Sequence, residues 1–167
     1  MDSFYEQLVT TKKTFTYSLA NNGTYVAGVL ALMLLGGMQF IFGLIMAAIA
    51  VALFFVKKNL YVEYEYDFTN GDIGIDKIME MKSRKKVINL GVKDIELLAP
   101  LGSQHVKDFS NKPDKVLKLY PPTVEEKKLY SAMVTGGEHR VQMIFAPNER
   151  FLELCYKYNP RAVKRNL

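Results

Sequence analysis

Residues 61–100 read YVEYEYDFTNGDIGIDKIMEMKSRKKVINLGVKDIELLAP, and the alternation in this stretch sets the fold class. Val62, Tyr64, Tyr66 and Phe68 alternate with Glu63, Glu65 and Asp67. A period of two with one apolar side is the pattern of a β-strand with one wet face. Asn70-Gly71 follows, inside Thr69-Asn70-Gly71-Asp72, the dipeptide that most favours a tight hairpin. Ile73 and Ile75 open a second strand that reaches about Met81. Its alternation slips near Lys77, because Ile78 falls on the other side, and a β-bulge is expected there. Lys82-Ser83-Arg84-Lys85-Lys86 then reads as a basic connection, with Lys86–Leu90 and Ile95–Ala99 as the third and fourth strands.

Downstream, residues 100–114 are a polar loop, Lys115–Tyr120 is a fifth strand, and Lys127–Thr135 with Glu138–Ala146 form a hairpin across Gly136-Gly137. The last element changes period. Phe151, Leu154, Cys155 and Tyr158 stand at i, i+3, i+4 and i+7, the single apolar stripe of an amphipathic helix, which Asn159-Pro160 stops. The expectation is an α+β unit over residues 61–160: a bent seven-stranded antiparallel sheet or partial barrel, one end plugged by the C-terminal helix, with a basic tail at 161–167. This division predicts that residues 61–167 fold alone.

Upstream the chain is of another kind. No charged residue occurs from Thr14 to Val56, and Tyr25 to Val56 is an apolar run of 32 residues. One straight helix of that length would measure about 48 Å, against a hydrocarbon core of about 30 Å. Gly36-Gly37-Met38-Gln39 interrupts the run, so a transmembrane helical hairpin over residues 23–56, turning near 36–39, fits better. Its second arm, Met38–Val56, is long enough to cross. The first must reach back to about Tyr17, through Asn21, Asn22, Gly23 and Thr24, or else be re-entrant. Lys12-Lys13 precedes the hairpin, Lys57-Lys58 follows it, and the turn is uncharged, so both ends are placed in the cytoplasm and the protein in the cell (plasma) membrane. Ala27 and Ala31, Gly43 and Ala47, and Ala48 and Ala52 are each four apart, which lets helices approach closely, within the hairpin or between copies. Residues 1–22 form an amphipathic N-terminal segment whose first 20 residues read as a helix, lying on the bilayer surface or packed on the soluble domain: Ser3-Phe4-Tyr5-Glu6 has the form of a capping box, and Phe4, Leu8, Phe15 and Leu19 fall near one side, interrupted by Lys12.

With 167 residues, 49% of them hydrophobic and 23% charged, the composition looks ordinary only because two unlike segments are averaged. The split excludes a simple soluble enzyme, a disordered tail protein and a collagen-like chain. The single cysteine, Cys155, excludes an intramolecular disulfide. A net charge of +5 is no nucleic-acid footprint.

The order of elements, together with the stretch YEYDFTNGDIGIDKI and KSRKKVINLGVKDIELLAP, resembles the pleckstrin-homology (PH) superfold. With its hairpin, the chain is similar over nearly its whole length to bacterial two-span membrane proteins carrying a PH-like domain. The resemblance implies a binding module for lipid or protein and brings no catalytic residue. It also implies a peptide groove beside the C-terminal helix, where an edge strand pairs through its backbone.

The residues themselves carry no catalytic, cofactor or metal signature. His105 and His139 lack any metal-ligand spacing, and Cys155 falls on the apolar stripe of the last helix. Asp67, Asp72 and Asp76 flank a turn without the spacing of a calcium loop and read as a solvated rim. The sharpest functional feature is the basic cluster Lys82, Arg84, Lys85 and Lys86, a candidate contact for anionic lipid. The sequence therefore reads as a non-enzymatic, membrane-anchored binding or scaffold module at the cytosolic membrane face, engaging a protein partner or anionic lipid. The alternative is an accessory or regulatory subunit of a membrane complex, associating through Gly43, Ala47, Ala48 and Ala52 on the hairpin.

Overall fold

The structure is a computed structural model and describes residues 3–135 and 140–164. The chain divides into two compact units: residues Lys12–Val62, and residues Met1–Thr11 together with Glu63–Leu167.

The first unit is a pair of helices, α1 (Phe15–Gly36) and α2 (Phe40–Leu60). Thr14 caps α1, its side chain accepting from the Tyr17 amide, as an extended residue before a helix does. The helix runs through Asn21 to Thr24 without a break. The Thr24 hydroxyl donates to the Ala20 carbonyl, and Asn21 Oδ1 accepts from Lys57 Nζ at 3.1 Å, so these polar groups are satisfied. The chain reverses over Gly37, Met38 and Gln39, with Met38 in the left-handed region at φ 61°. Small residues make the seam: Ala20, Ala27 and Ala31 of α1 and Gly43 of α2 are buried. A Cβ on Gly43 would lie 2.7 Å from the Leu35 side chain, so this crossing requires glycine. Most other apolar side chains of the pair, Leu32, Met33, Ile41 and Leu44 among them, are bare.

The second unit holds two four-stranded sheets. In the first, β1 (Phe4–Val9), β2 (Val62–Thr69), β3 (Asp72–Met79) and β4 (Ser83–Gly91) lie in chain order. In the second, β5 (Ile95–Pro100), β6 (Lys115–Lys118), β7 (Tyr130–Val134) and β8 (Val141–Phe145) are ordered β5-β7-β8-β6, with β6 parallel to β8. Among the described residues, two sheets and eight strands thus replace the expected single antiparallel sheet of seven. A short helix, α3 (Gln104–Lys107), stands in the expected polar loop, and α4 (Glu149–Tyr158) follows the strands. Residues 136–139, on which the expected Gly136-Gly137 turn falls, lie outside the described residues.

The extra strand comes from the segment that reads as an amphipathic helix. Phe4 to Val9 pairs antiparallel with β2, Phe4 opposite Thr69 and Val9 opposite Tyr64. An i, i+4 spacing such as Phe4 to Leu8 is also an even spacing, so it satisfies a strand as well as a helix. Pairing decides. β2 offers a complete edge, and Tyr5 and Gln7 reach residues of the second sheet's end: Gln7 accepts from the Asn148 amide at 2.8 Å and donates to the Ala146 carbonyl at 2.8 Å, and Asn148 Nδ2 donates to the Tyr5 hydroxyl at 2.7 Å. Phe15 and Leu19, expected on the same helix, belong to α1. The helical pair is therefore inserted between two adjacent strands of one sheet.

The core of this unit is aromatic. Tyr66, Phe68, Phe145 and Phe151 are fully buried in edge-to-face contact, with ring centroids 5.6–6.1 Å apart. The Tyr66 hydroxyl donates to the Leu119 carbonyl at 2.6 Å and accepts from the Ala146 amide, so burial leaves it satisfied. Asn148 caps α4 through Oδ1, accepting from the Phe151 amide. The Asn70-Gly71 turn closes β2 to β3, and Gly71, at φ 101°, lies under Tyr158, where a Cβ would sit 2.7 Å from the ring. The expected bulge is present one step earlier than Lys77: Ile75 pairs with Ile88 and Asp76 with Lys86, so Val87 of β4 is the extra residue.

Candidate functional site

The basic cluster is not in a loop. The β3–β4 turn comprises Glu80, Met81 and Lys82, and Ser83 to Lys86 already form the start of β4, an edge strand of the first sheet. The sequence reading overran because lysine and arginine suit exposed edge strands, where charge discourages pairing with another chain. Glu80 and Met81 both take left-handed backbone, at φ 50° and 57°, and the Lys82 amide closes the turn on the Met79 carbonyl at 3.1 Å. Asn70-Gly71 makes the equivalent turn at the other end of β3 at little cost. Two side-chain-bearing residues in that region cost about 1 kcal/mol or more each. The turn holds Met81 out, 68% exposed.

Arg84 is committed. Its guanidinium donates to Glu65 Oε1 at 3.2 Å and forms an ion pair with Oε2 at 2.7 Å. Lys82, Lys85 and Lys86 are exposed. The acidic side of β2 is not the solvated surface its alternation suggests. Glu63 is buried, and Glu65 and Asp67 are half-buried. Glu65, Asp67 and Asp76 bring carboxylate oxygens within 4.8 Å of one another. Desolvation raises the Glu65 and Asp67 carboxyls above their ordinary range; Glu6 and Asp76 push Asp67 further up, while Arg84 opposes the shift at both. Asp76, expected on a solvated rim, is likewise half-buried, and one buried oxygen of each of Glu65, Asp67 and Asp76 has no hydrogen-bond partner among the described residues.

Beside this cluster lies a groove of about 340 Å³ lined by Leu8, Glu63, Ile78, Met81, Lys82 and Arg84. The register fixes its place. Val9 of β1 lies opposite Tyr64 near the start of β2, and β3, running back from Asn70-Gly71, ends at Met79. The groove and the β3–β4 turn therefore occupy the end of the sheet where β1 leaves the unit and β2 enters it. Sequence reasoning did not find the groove, because Leu8 and Glu63 are brought together only by a strand pair that spans the helical insertion.

Beside the C-terminal helix, where a peptide groove is expected, the chain's own tail pairs with β5 at one residue. Leu98 of β5 donates to the Ala162 carbonyl at 2.9 Å and accepts from the Lys164 amide at 2.8 Å. Cys155 is fully buried, its thiol pushed up to about 12 by desolvation. His105 lies exposed on α3, and His139 lies outside the described residues. Of the helix-packing candidates, Gly43 is buried in the seam, Ala47 is half-buried beside it, and Ala48 and Ala52 face outward.

These features meet in one comparison: the model of the family described as Bacterial PH-like domain (DUF6106) matches residues 1–165. The chain belongs to that family. No curated protein and no solved structure matches it. The match to the bacterial PH-like family includes the inserted helical pair and β1, so the family's unit is the whole arrangement, not the strands after Tyr61 alone.

Proposed function

We propose that this bacterial PH-like protein is a membrane-anchored binding module whose hairpin spans the cytoplasmic membrane, with both ends in the cytosol, and whose basic β3–β4 end meets anionic headgroups. Several features support this reading. Both helices exceed 20 residues, with mean hydropathy of 1.4 and 2.5 over their most apolar stretches, and little of either is buried, unlike the core helix of a soluble protein. Lysines stand at both ends of the pair and none at its turn.

The observation that carries the proposal is the position of the β3–β4 turn. It sits at the end of the sheet where the chain departs for the helices, and one residue, Tyr61, separates α2 from β2. Covalent reach alone keeps that end near the bilayer. The cations left after Arg84 is discounted, Lys82, Lys85 and Lys86, are worth on the order of 1 kcal/mol each near an anionic surface. That sum is enough to bias a tethered unit.

The chain has no tryptophan, so Met81→Trp gives a single-tryptophan reporter in the full-length protein. In vesicles with brominated acyl chains, its fluorescence is expected to be quenched when anionic lipid is present. The quenching should fall at high salt and in the Lys82→Gln/Lys85→Gln/Lys86→Gln variant. Equal quenching in phosphatidylcholine vesicles with and without phosphatidylglycerol would reject anionic-lipid contact at this turn.

A second reading, an accessory subunit docking through its hairpin, is favoured only by the outward face of Ala48 and Ala52. Ala48→Leu/Ala52→Leu would then abolish co-purification with a membrane partner.

A further inference from the structure

The groove at the end of the first sheet has a composition of its own. Leu8, Ile78 and Met81 give it an apolar wall, with Leu8 51% exposed. Lys82 supplies a cation that makes no ion pair among the described residues, whereas Arg84, also in the lining, is held by Glu65. Opposite in charge is Glu63, 4% exposed and accepting from the Thr11 amide at a long 3.4 Å. Glu63 has no cationic partner among the described residues. A bound ammonium group would supply the counter-charge that Glu63 lacks. Cation, buried anion and apolar wall in one groove are complementary to a zwitterion with an attached hydrocarbon.

We propose that this groove binds the headgroup of an amine-bearing phospholipid, with Glu63 accepting from the ammonium, Lys82 facing the phosphate, and Leu8, Ile78 and Met81 contacting the glycerol and upper acyl region. The occupant follows from reach. Glu63 is three residues beyond the end of α2 at Leu60, and Leu8 is seven residues before the start of α1 at Phe15. If the helices span the bilayer, as the reading above requires, lipid headgroups are the molecules always available at this end. The proposal rests on that reading for its source of ligand, and differs from it in what is recognised. The surface contact reads anionic charge, whereas the groove reads the primary amine.

The test is native mass spectrometry of the full-length protein in detergent, titrated with short-chain phosphatidylethanolamine, phosphatidylcholine and phosphatidylglycerol of equal acyl length. Phosphatidylethanolamine is expected to bind roughly tenfold more tightly than either of the others, the worth of one charge-assisted hydrogen bond. Glu63→Gln should abolish the preference, and Lys82→Gln should weaken all three lipids alike. Thermal melting of both variants shows that each is folded, and Glu6→Gln, outside the groove, should keep the preference. Equal affinity for the three headgroups, or a preference that survives Glu63→Gln, would overturn the assignment. The brominated-lipid quenching at position 81 separates the two readings. Quenching without amine preference rejects the groove alone, and loss of both rejects both.

Discussion

Removing β1 is the perturbation with the largest consequence for the PH-like unit. Five hydrogen bonds outside the β1–β2 ladder depend on residues 3–7. The Ser3 amide donates to Asn70 Oδ1 and the Asn70 amide to the Ser3 carbonyl; Gln7 makes two, with Ala146 and Asn148; and the Tyr5 hydroxyl accepts one from Asn148. At about 1 kcal/mol net each these come to about 5 kcal/mol, before the six-residue ladder is added. A domain of this size has a stability of roughly 5–15 kcal/mol in total. Residues 62–167 alone are therefore expected to be marginal or unfolded. The register suggests the repair. Val9 pairs with Tyr64, and continuing the ladder brings Thr11 opposite Val62. Residues 1–11 joined through Asn-Gly to residues 62–167 replace the helical insertion with an ordinary two-residue hairpin. The assay is thermal melting by circular dichroism, with hydrogen exchange at the β2 amides. The fusion should melt cooperatively. The fragment without β1 should melt at least 20 °C lower or show no transition, given about 4–8 °C per kcal/mol in domains of this length. A fragment melting within about 5 °C of the fusion would refute the reasoning.

Three further outcomes follow from single sites. Gly71→Ala, forced into φ 101° and against the Tyr158 ring, should lower stability by roughly 1–3 kcal/mol in chemical denaturation, while Gly102→Ala, with open space around it, should stay near zero. The carboxyl of Asp67 is raised by folding, so its charged form opposes folding at neutral pH, and the opposition fades as pH falls through the folded value toward the unfolded one near 4. Asp67→Asn should thus stabilise the soluble fusion at pH 7 and lose that advantage in mild acid, as read by melting temperature against pH. Cys155 should resist thiol reagents at pH 8 in the native protein and react only on unfolding, because its thiol is buried and raised to about 12.

The sequence made some elements plain and hid others for definable reasons. Asn70-Gly71, the alternation around it and the stripe Phe151, Leu154, Cys155 and Tyr158 are local signals, and the hairpin and α4 stand where they point. The double glycine and the uncharged run likewise mark a helical pair, since turn and hydropathy are local properties. β1 was illegible as a strand because its partner lies beyond the insertion, and six residues carry no local evidence of which period applies. The half-buried state of Glu65, Asp67 and Asp76 was hidden for a related reason. Alternation says which side of a strand is polar, but whether that side is wet depends on what stands beside it: here β1 contributes Glu6 and β4 contributes Arg84. The basic cluster was legible as a cluster and misplaced as a loop, and its position at the entry end of the sheet required the register.

Cysteine labelling in intact bacterial cells bears on the membrane-anchored reading at its root. Cys155 is buried, so Gln39→Cys in the α1–α2 turn and Ser110→Cys on the exposed loop before β6 can each serve as a single reporter for a membrane-impermeant maleimide. A hairpin that spans the membrane with its PH-like unit in the cytosol predicts labelling of position 39 from outside, and of position 110 only after the cells are opened. Labelling of position 110 in intact cells, or protection of position 39 until lysis, would contradict it.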